Sequence, residues 1–270
     1  MKLLNIEEVH EVLLGIGKEF HRLCVENDIP YYMVGGTQLG AIRHKGFIPW
    51  DDDMDFGIPR ACYEKFKSVC LEQCRKPYSL VAAENSYYPI GYVKMQDERT
   101  HIEDPMMGFY PKSDIGLYID IFPLDECCGD YNLMKTHEKK RILFDHIVRG
   151  IFEKLPHRKW YYGISNYVLH YLLPHNHKAK MWWMKKKDEI CIEYSQTGTD
   201  AMINLYGIYK EREVVKKEIL GKPTLYDFED IQFYGPEKYD EYLTRIYRNY
   251  MQLPPVEKRH IHVDSVYWRE

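Results

Sequence analysis

Four aspartates fall within five consecutive positions of the segment PWDDDMDFGIPR, as Asp51, Asp52, Asp53 and Asp55. Asp53, Asp55 and Gly57 alternate with Met54, Phe56 and Ile58, a period of two that predicts a strand with its acids on one face. Carboxylates at i and i+2 of a strand point the same way and can share one hard cation, and acids so crowded repel one another strongly without one. Magnesium prefers such oxygen ligands and keeps positions open for substrate phosphates. In phosphoryl transfer it offsets charge on the transferred group and on the leaving oxygen. A run of acids is more often a solvated loop, but the apolar interleaving and the preceding Trp50 argue for a half-buried strand.

The elements that position these acids can be read outward from them. Tyr31 to Val34 is a short apolar run that stops at Gly35-Gly36, a strand running into a tight turn. Glycines there let the backbone approach a phosphate, and free amides at a helix start favour negative charge. Thr37 is expected to cap a short helix from Gln38 to Arg43, closed by Gly46. Upstream, Asn5 and Glu8 form a capping box for a helix that buries Ile6, Val9, Leu13, Ile16, Phe20 and Leu23 and ends near Asn27. Downstream, Tyr63 to Cys74 reads as a helix, and Ser79–Ala83, Ile90–Met95 and Ile115–Phe122 as strands. In the last of these Ile115, Leu117, Ile119 and Ile121 share one face and Asp120 projects from the other. After Cys128-Gly129-Asp130 the pattern turns to helices rich in Tyr, Trp, Lys and His. The organisation expected is a β-containing front part, 1–130, and a mainly helical back part, 131–270.

The 270 residues are 45% hydrophobic and 29% charged, the balance of a soluble globular protein. No apolar run reaches the length of a membrane-spanning helix. The start lacks a basic stretch followed by a long apolar one, so a signal peptide is not expected. Seven cysteines without Cys-x-x-Cys spacing read as reduced thiols in the cytoplasm. The net charge of −4 conceals an asymmetry: Lys135 to Lys187 holds 13 Lys and Arg against three acids, a balance of +10. That segment also holds Trp160, Tyr161, Tyr162, Tyr167, Tyr171, Trp182 and Trp183. Basic and aromatic residues together suit an anionic partner, and peripheral association with the inner face of the cell membrane is one expectation. A solvated helical face, or a groove for an anionic soluble glycan, is the competing explanation. The segment carries no RNA-binding or helix-turn-helix signature, so nucleic acid is not expected as a partner.

The stretch GGTQLGAIRHKGFIPWDDDMDFGI resembles the LicD family, which includes the fukutin-related proteins, within the polymerase-β-like nucleotidyltransferase superfamily. That superfamily's pattern is a Gly-Gly or Gly-Ser turn, then Asp-x-Asp, then a third carboxylate on a later strand. Gly35 and Gly36 match the turn and Asp53 and Asp55 the pair. The third acid is expected to be Asp120 in GLYIDIFPLDEC rather than Asp125, which lies beyond Pro123 in an expected loop. Residues 228–255, FEDIQFYGPEKYDEYLTRIYRNYMQLPP, resemble the family's closing segment. Between about Asp130 and Glu218 no motif is evident.

The resemblance implies an α+β fold, a polymerase-β-like nucleotidyltransferase core with a mainly helical C-terminal part that binds the acceptor. It implies a magnesium-dependent enzyme, with manganese as a substitute, whose ligands and catalytic residues are Asp53, Asp55 and Asp120. The donor would be a CDP-alcohol such as CDP-choline, CDP-ribitol or CDP-glycerol, phosphocholine being the foremost candidate for transfer. The acceptor would be a hydroxyl on a cell-surface or lipid-linked glycan precursor, of teichoic acid, lipopolysaccharide or capsule, with CMP released. A carboxylate, or an oxygen held on the metal, would help deprotonate that hydroxyl. Gly35, Gly36, Thr37, Gln38, Arg43 and Lys94 are expected at the donor, where Arg43 and Lys94 would neutralise its diphosphate. His44 reads as surface. Asp51 and Asp52 are expected just behind the ligands, Asp51 close enough to approach the metal, with Trp50 beside them. A strict nucleotidyltransferase and a non-catalytic glycan-binding or membrane scaffold are the two rival readings.

Overall fold

The computed structural model describes residues 2–86, 91–103, 114–127, 131–152, 168, 171–174, 176–193, 200–259 and 265–270. Helix α1, Ile6–Glu26, opens on the expected capping box: Asn5 accepts from the Glu8 amide, and the Glu8 carboxylate from the Asn5 amide. Its apolar stripe is enclosed from Val9 onward, with Leu13, Ile16, Phe20 and Leu23 all at 0% exposure, while Ile6 in the first turn is half-buried. A helix of this kind owes its stability to that buried stripe more than to propensity.

The central sheet is mixed. Strand β1 (Lys2–Leu3) lies apart from it; within it run β2 (Tyr32–Met33), β3 (Asp55–Pro59), β4 (Tyr78–Val81) and β5 (Val93–Asp97). Strand β6 (Thr100–Glu103) again lies outside, and β7 (Tyr118–Cys127) is the spine, parallel to β3 and antiparallel to β5. Helices α2 (Gly35–Arg43) and α3 (Arg60–Gln73) follow β2 and β3.

Alternation along β7 gives the sheet two different faces. Ile119 and Ile121 join Leu13, Phe20, Phe56, Ile58 and Phe66 in the main core beneath α1 and α3. Phe122 and Leu124 face the other way, into a second cluster with Tyr32, Val34 and Leu39, and Asp55 and Asp120 share that side by the pleat. Gly57 permits the second packing, because a Cβ there would lie 2.9 Å from the Leu124 side chain.

Two expectations are corrected along these strands. Strand β3 begins at Asp55, so Asp53 precedes it. Asp125 is not in a loop: β7 continues to Cys127, and Asp125 is fully buried against Arg60, with Nε–Oδ1 at 2.7 Å. Pro123 is tolerated because it sits at a changeover, where β5 pairs only as far as Ile121 and the next partner starts at Leu124. A residue without an N–H costs little there.

The chain after residue 130 begins with the helices α4 (Tyr131–Phe152) and α5 (His177–Ile192), which pack on each other, and then returns to the sheet. Strand β8 (Ala201–Asn204) pairs with the end of β7, and β9 (Val214–Lys216) with β8, so the sheet runs continuously across the change in sequence pattern. Helix α6 (Lys217–Leu220), the hairpin β10–β11 (Thr224–Phe228, Ile231–Gly235) and α7 (Tyr239–Tyr247) follow. Leu220 from α6 and Tyr242, Leu243 and Ile246 from α7 complete the second cluster. Strand β12 (Ser265–Trp268) lies between β1 and β6. No described helix is long and apolar enough to cross a membrane.

Candidate active site

Where β2 ends, the backbone turns at Gly35, whose φ of +54° is a conformation that favours glycine. Helix α2 starts there rather than at Gln38, with Val34 as its N-cap, so Thr37 lies in the first turn instead of capping it. Its hydroxyl accepts the Asp55 amide at 2.7 Å, and the Val34 amide donates to the Asp55 carbonyl at 3.1 Å. These two bonds fix the glycine turn to the start of the acidic strand. A Cβ on Gly36 would lie 2.8 Å from Asp51 Oδ2, and one on Gly35 would lie 3.3 Å from Asp55 Oδ2. The turn and the acids are therefore in direct contact.

The parallel pairing of β3 with β7 sets Asp55 opposite Asp120. Burial pushes the Asp55 carboxyl well above the usual range, and the charges of Asp53, Asp120 and Asp51 push it further, with Lys94 acting against them. From β5, Lys94 sits opposite Asp120, bonds to its carboxylate and lies 3.5 Å from the centre of the Tyr118 ring. The Tyr92 hydroxyl donates to Asp120 from the same strand region, at 3.4 Å.

These groups open onto a cleft of about 830 Å³. Of the residues expected from sequence, Gly35, Gly36, Arg43, Trp50, Asp51, Asp53, Asp55 and Asp120 line it. Thr37, Gln38, Asp52 and Lys94 are buried and stand behind the lining. Gln38 is fully enclosed with its Oε1 against Gly235, and its amide has no hydrogen-bond partner among the described residues. Arg43 donates to the Tyr250 carbonyl at 2.8 Å, and burial lowers its pKa. The Trp50 ring carries the Arg259 guanidinium 4.3 Å from its centre. His10 donates to the Asp51 carbonyl at 2.7 Å and stacks on Phe47.

The opposite wall was not legible beforehand. It comes from Asn204, Tyr206 and Tyr209, from Glu213, and from Tyr247, Tyr250 and Gln252 to Pro255. Tyr242 supports it by accepting the Gly35 amide at 3.1 Å. The resemblance of residues 228–255 marked the closing segment without assigning a side chain to the site. Residues 204–213 lie in the stretch where no motif was found.

Among the described residues no group of three His, Cys, Asp or Glu side chains is closed up to hold a metal ion, and Lys94 engages Asp120 instead. The chemistry of the donor set nevertheless suits a hard divalent cation. Every candidate ligand is a carboxylate oxygen, and the mutual repulsion that raises Asp55 is what such a cation would offset.

The basic segment is only partly a charged surface. Lys180 and Lys187 are buried, Lys180 donating to the Ser86 carbonyl and Lys187 paired with Asp145. Trp183 packs near Phe144 while Trp182 is 52% exposed. Trp160, Tyr161, Tyr162 and Tyr167 lie outside the described residues.

Residues 28–147 match the family model described as "LicD/FKTN/FKRP, nucleotidyltransferase domain". The chain is 32% identical over 271 aligned positions to the lipopolysaccharide cholinephosphotransferase LicD of Haemophilus influenzae, covering 97% of each. A ribitol 5-phosphate transferase, FKRP of Mus musculus, is 32% identical over 98 residues, which are 32% of this chain and 18% of that one. An uncharacterized protein of Rickettsia prowazekii is 54% identical over 46 residues, 17% of each chain.

Proposed function

This chain belongs to the LicD family, and from that premise we propose that it transfers a phosphoalcohol from a CDP-activated donor to a hydroxyl of a glycan, releasing CMP. The observation that carries the proposal is the meeting of Gly35-Gly36, Asp53, Asp55 and Asp120 in one cleft, in a chain alignable end to end with a cholinephosphotransferase. Phosphocholine is the foremost group for transfer, with ribitol phosphate and glycerol phosphate as the alternatives.

The donor's diphosphate would lie against the turn at Gly35-Gly36, where the absent side chains leave the backbone open. Arg43, on the cleft lining, would balance part of its charge. Asp53, Asp55 and Asp120 would hold a magnesium ion. When bound, that ion offsets negative charge on the phosphoryl oxygens and on the departing CMP. For Asp120 to serve, Lys94 would release it and turn toward the diphosphate. The acceptor oxygen forms a bond to the phosphorus that carries the alcohol, the bridging P–O bond breaks, and the electron pair leaves with CMP. The acceptor's proton passes to a carboxylate of the site. The acceptor would approach over the wall contributed after residue 130.

The test is CMP release from CDP-choline, CDP-ribitol and CDP-glycerol, each with envelope glycans as acceptor, with and without a chelator. At least one donor should yield CMP in step with glycan modification, and chelation should stop it. No CMP from any donor, or pyrophosphate released from CTP, would contradict the proposal.

A further inference from the structure

The motif-free wall contains a buried acid that the proposed transfer does not use. Glu213 is 9% exposed and lines the cleft. Its carboxylate accepts the Tyr209 amide at 3.2 Å and has no ion-pair partner among the described residues. Burial pushes it up to about 7. The neighbouring Arg212 does not neutralise it by contact: its guanidinium donates to the Ile246 carbonyl at 2.6 Å and lies over the Tyr209 ring at 5.0 Å. Beside Glu213 the Tyr209 and Tyr247 rings pack edge to face, centres 5.2 Å apart. This group abuts the phosphate turn, since a Cβ on Gly35 would lie 3.8 Å from the Tyr247 hydroxyl.

Burying a carboxylate without a cation is unfavourable, and a fold retains one more readily where a ligand supplies the missing charge. A quaternary ammonium has no N–H to donate, so directional acceptors are of little use to it. It is recognised by aromatic faces and a nearby negative charge. A polyol has the opposite needs: several hydrogen bonds and no net charge to balance. The Arg212 guanidinium over the Tyr209 ring offsets Glu213 in part through space and leaves its carboxylate without a direct ion pair among the described residues.

We propose that Glu213, with Tyr209 and Tyr247, forms the subsite for a cationic headgroup on the transferred alcohol, and so selects a quaternary-ammonium alcohol over a neutral polyol. The inference rests on the phosphoalcohol reading and specifies which alcohol. It places the cation next to the glycine turn, within the reach of a two-carbon alcohol from the phosphate to which it is esterified. Glu213 is here a specificity residue and takes no part in bond making.

The test compares CDP-choline with its neutral isostere, the CDP ester of 3,3-dimethylbutanol, in which carbon replaces nitrogen. Affinities for wild type and Glu213→Gln are measured by isothermal titration at pH 8 with magnesium present. Wild type should prefer the charged donor by about tenfold or more, and Glu213→Gln should reduce the preference to about twofold. Equal binding of the two donors by wild type overturns the inference, whether or not the variant folds. So does a Glu213→Gln protein that keeps the full preference, or one whose kcat falls alike for both donors with the preference intact. Wild type that binds neither donor overturns this inference together with the phosphoalcohol reading. Wild type that binds and transfers both equally overturns this inference alone.

Discussion

One wall of the cleft is main chain and carboxylate: Gly35 and Gly36 at a helix start, Asp51 and Asp53 before a strand, Asp55 and Asp120 paired across two strands. The other is aromatic, with tyrosines from two separate stretches and one buried acid, Glu213. Their backbones differ in kind as well. The first wall is locked by adjacent strands and by the bond from the Asp55 amide to Thr37, and each of its parts carries a local sequence pattern. The second is assembled from the turn after β8, the end of β9's lead-in and the C-terminal end of α7, which meet only in the folded chain. Phosphate chemistry is the same for every donor and needs a fixed backbone and fixed charges. Choice of alcohol and acceptor needs side chains that can vary while the scaffold stays put.

If the walls divide the labour in this way, the largest losses follow from breaking the first. Asp53→Asn and Asp55→Asn would each delete a charge from the proposed metal site at nearly constant volume and should lower kcat/KM about a thousandfold, several kcal/mol of transition-state stabilisation. Far-UV circular dichroism should show the fold intact. Substantial turnover by either variant would move the chemistry elsewhere. Gly36→Val should cost about a hundredfold, because its Cβ would start 2.8 Å from Asp51 Oδ2 and would cover the backbone at the diphosphate. The readout is the magnesium-dependent thermal shift that a CDP-alcohol should give wild type and should not give the variant.

The second wall should answer differently. The carboxyl of Glu213 is raised from 4.5 to about 7 in the folded chain. A raised carboxyl costs nothing below its unfolded pKa, and the cost grows as pH climbs from 4.5 to 7. Glu213→Gln should therefore stabilise the protein, by about 2 kcal/mol at pH 8 after allowance for residual solvent access. The gain should fade toward pH 5. Urea unfolding at the two pH values measures it, and a destabilised variant at pH 8 would mean that Glu213 holds the wall together. The smallest effect concerns the surface beyond the cleft. Lys185 and Lys186 lie on α5 beside the exposed Trp182, whereas Lys187 is buried with Asp145. Changing Lys185 and Lys186 to Glu should weaken co-sedimentation with anionic vesicles at low salt, by about 1 kcal/mol per lysine removed. Wild type that ignores such vesicles would leave these residues as an ordinary solvated face.

The same division decided what could be read from the chain. The capping box at Asn5 and Glu8, the period-two acids and the apolar-Asp-apolar strand at Asp120 are local patterns that mark α1, β3 from Asp55 onward and β7. The pattern misplaces Thr37 because helix propensity cannot show that a glycine will adopt φ of +54° and start the helix three residues early. Asp125 was misplaced because Pro123 reads as a strand end, while the changeover from β5 to β8 that accommodates it is a tertiary event. Glu213 and Tyr209 carry no local signal at all. Their role depends on β8 pairing with β7, across a sequence separation of some eighty residues, and no period or spacing reports that.

The central claim, that the phosphoalcohol and not the nucleotide is transferred, is tested most directly by labelling the donor. CDP-choline carrying radioactive phosphorus on the choline side is incubated with the enzyme, magnesium and envelope glycan in a single turnover. The account predicts that the label appears in the glycan and that unlabelled CMP is released in equal amount. Label recovered as free phosphocholine, with cytidine on the glycan, would contradict it.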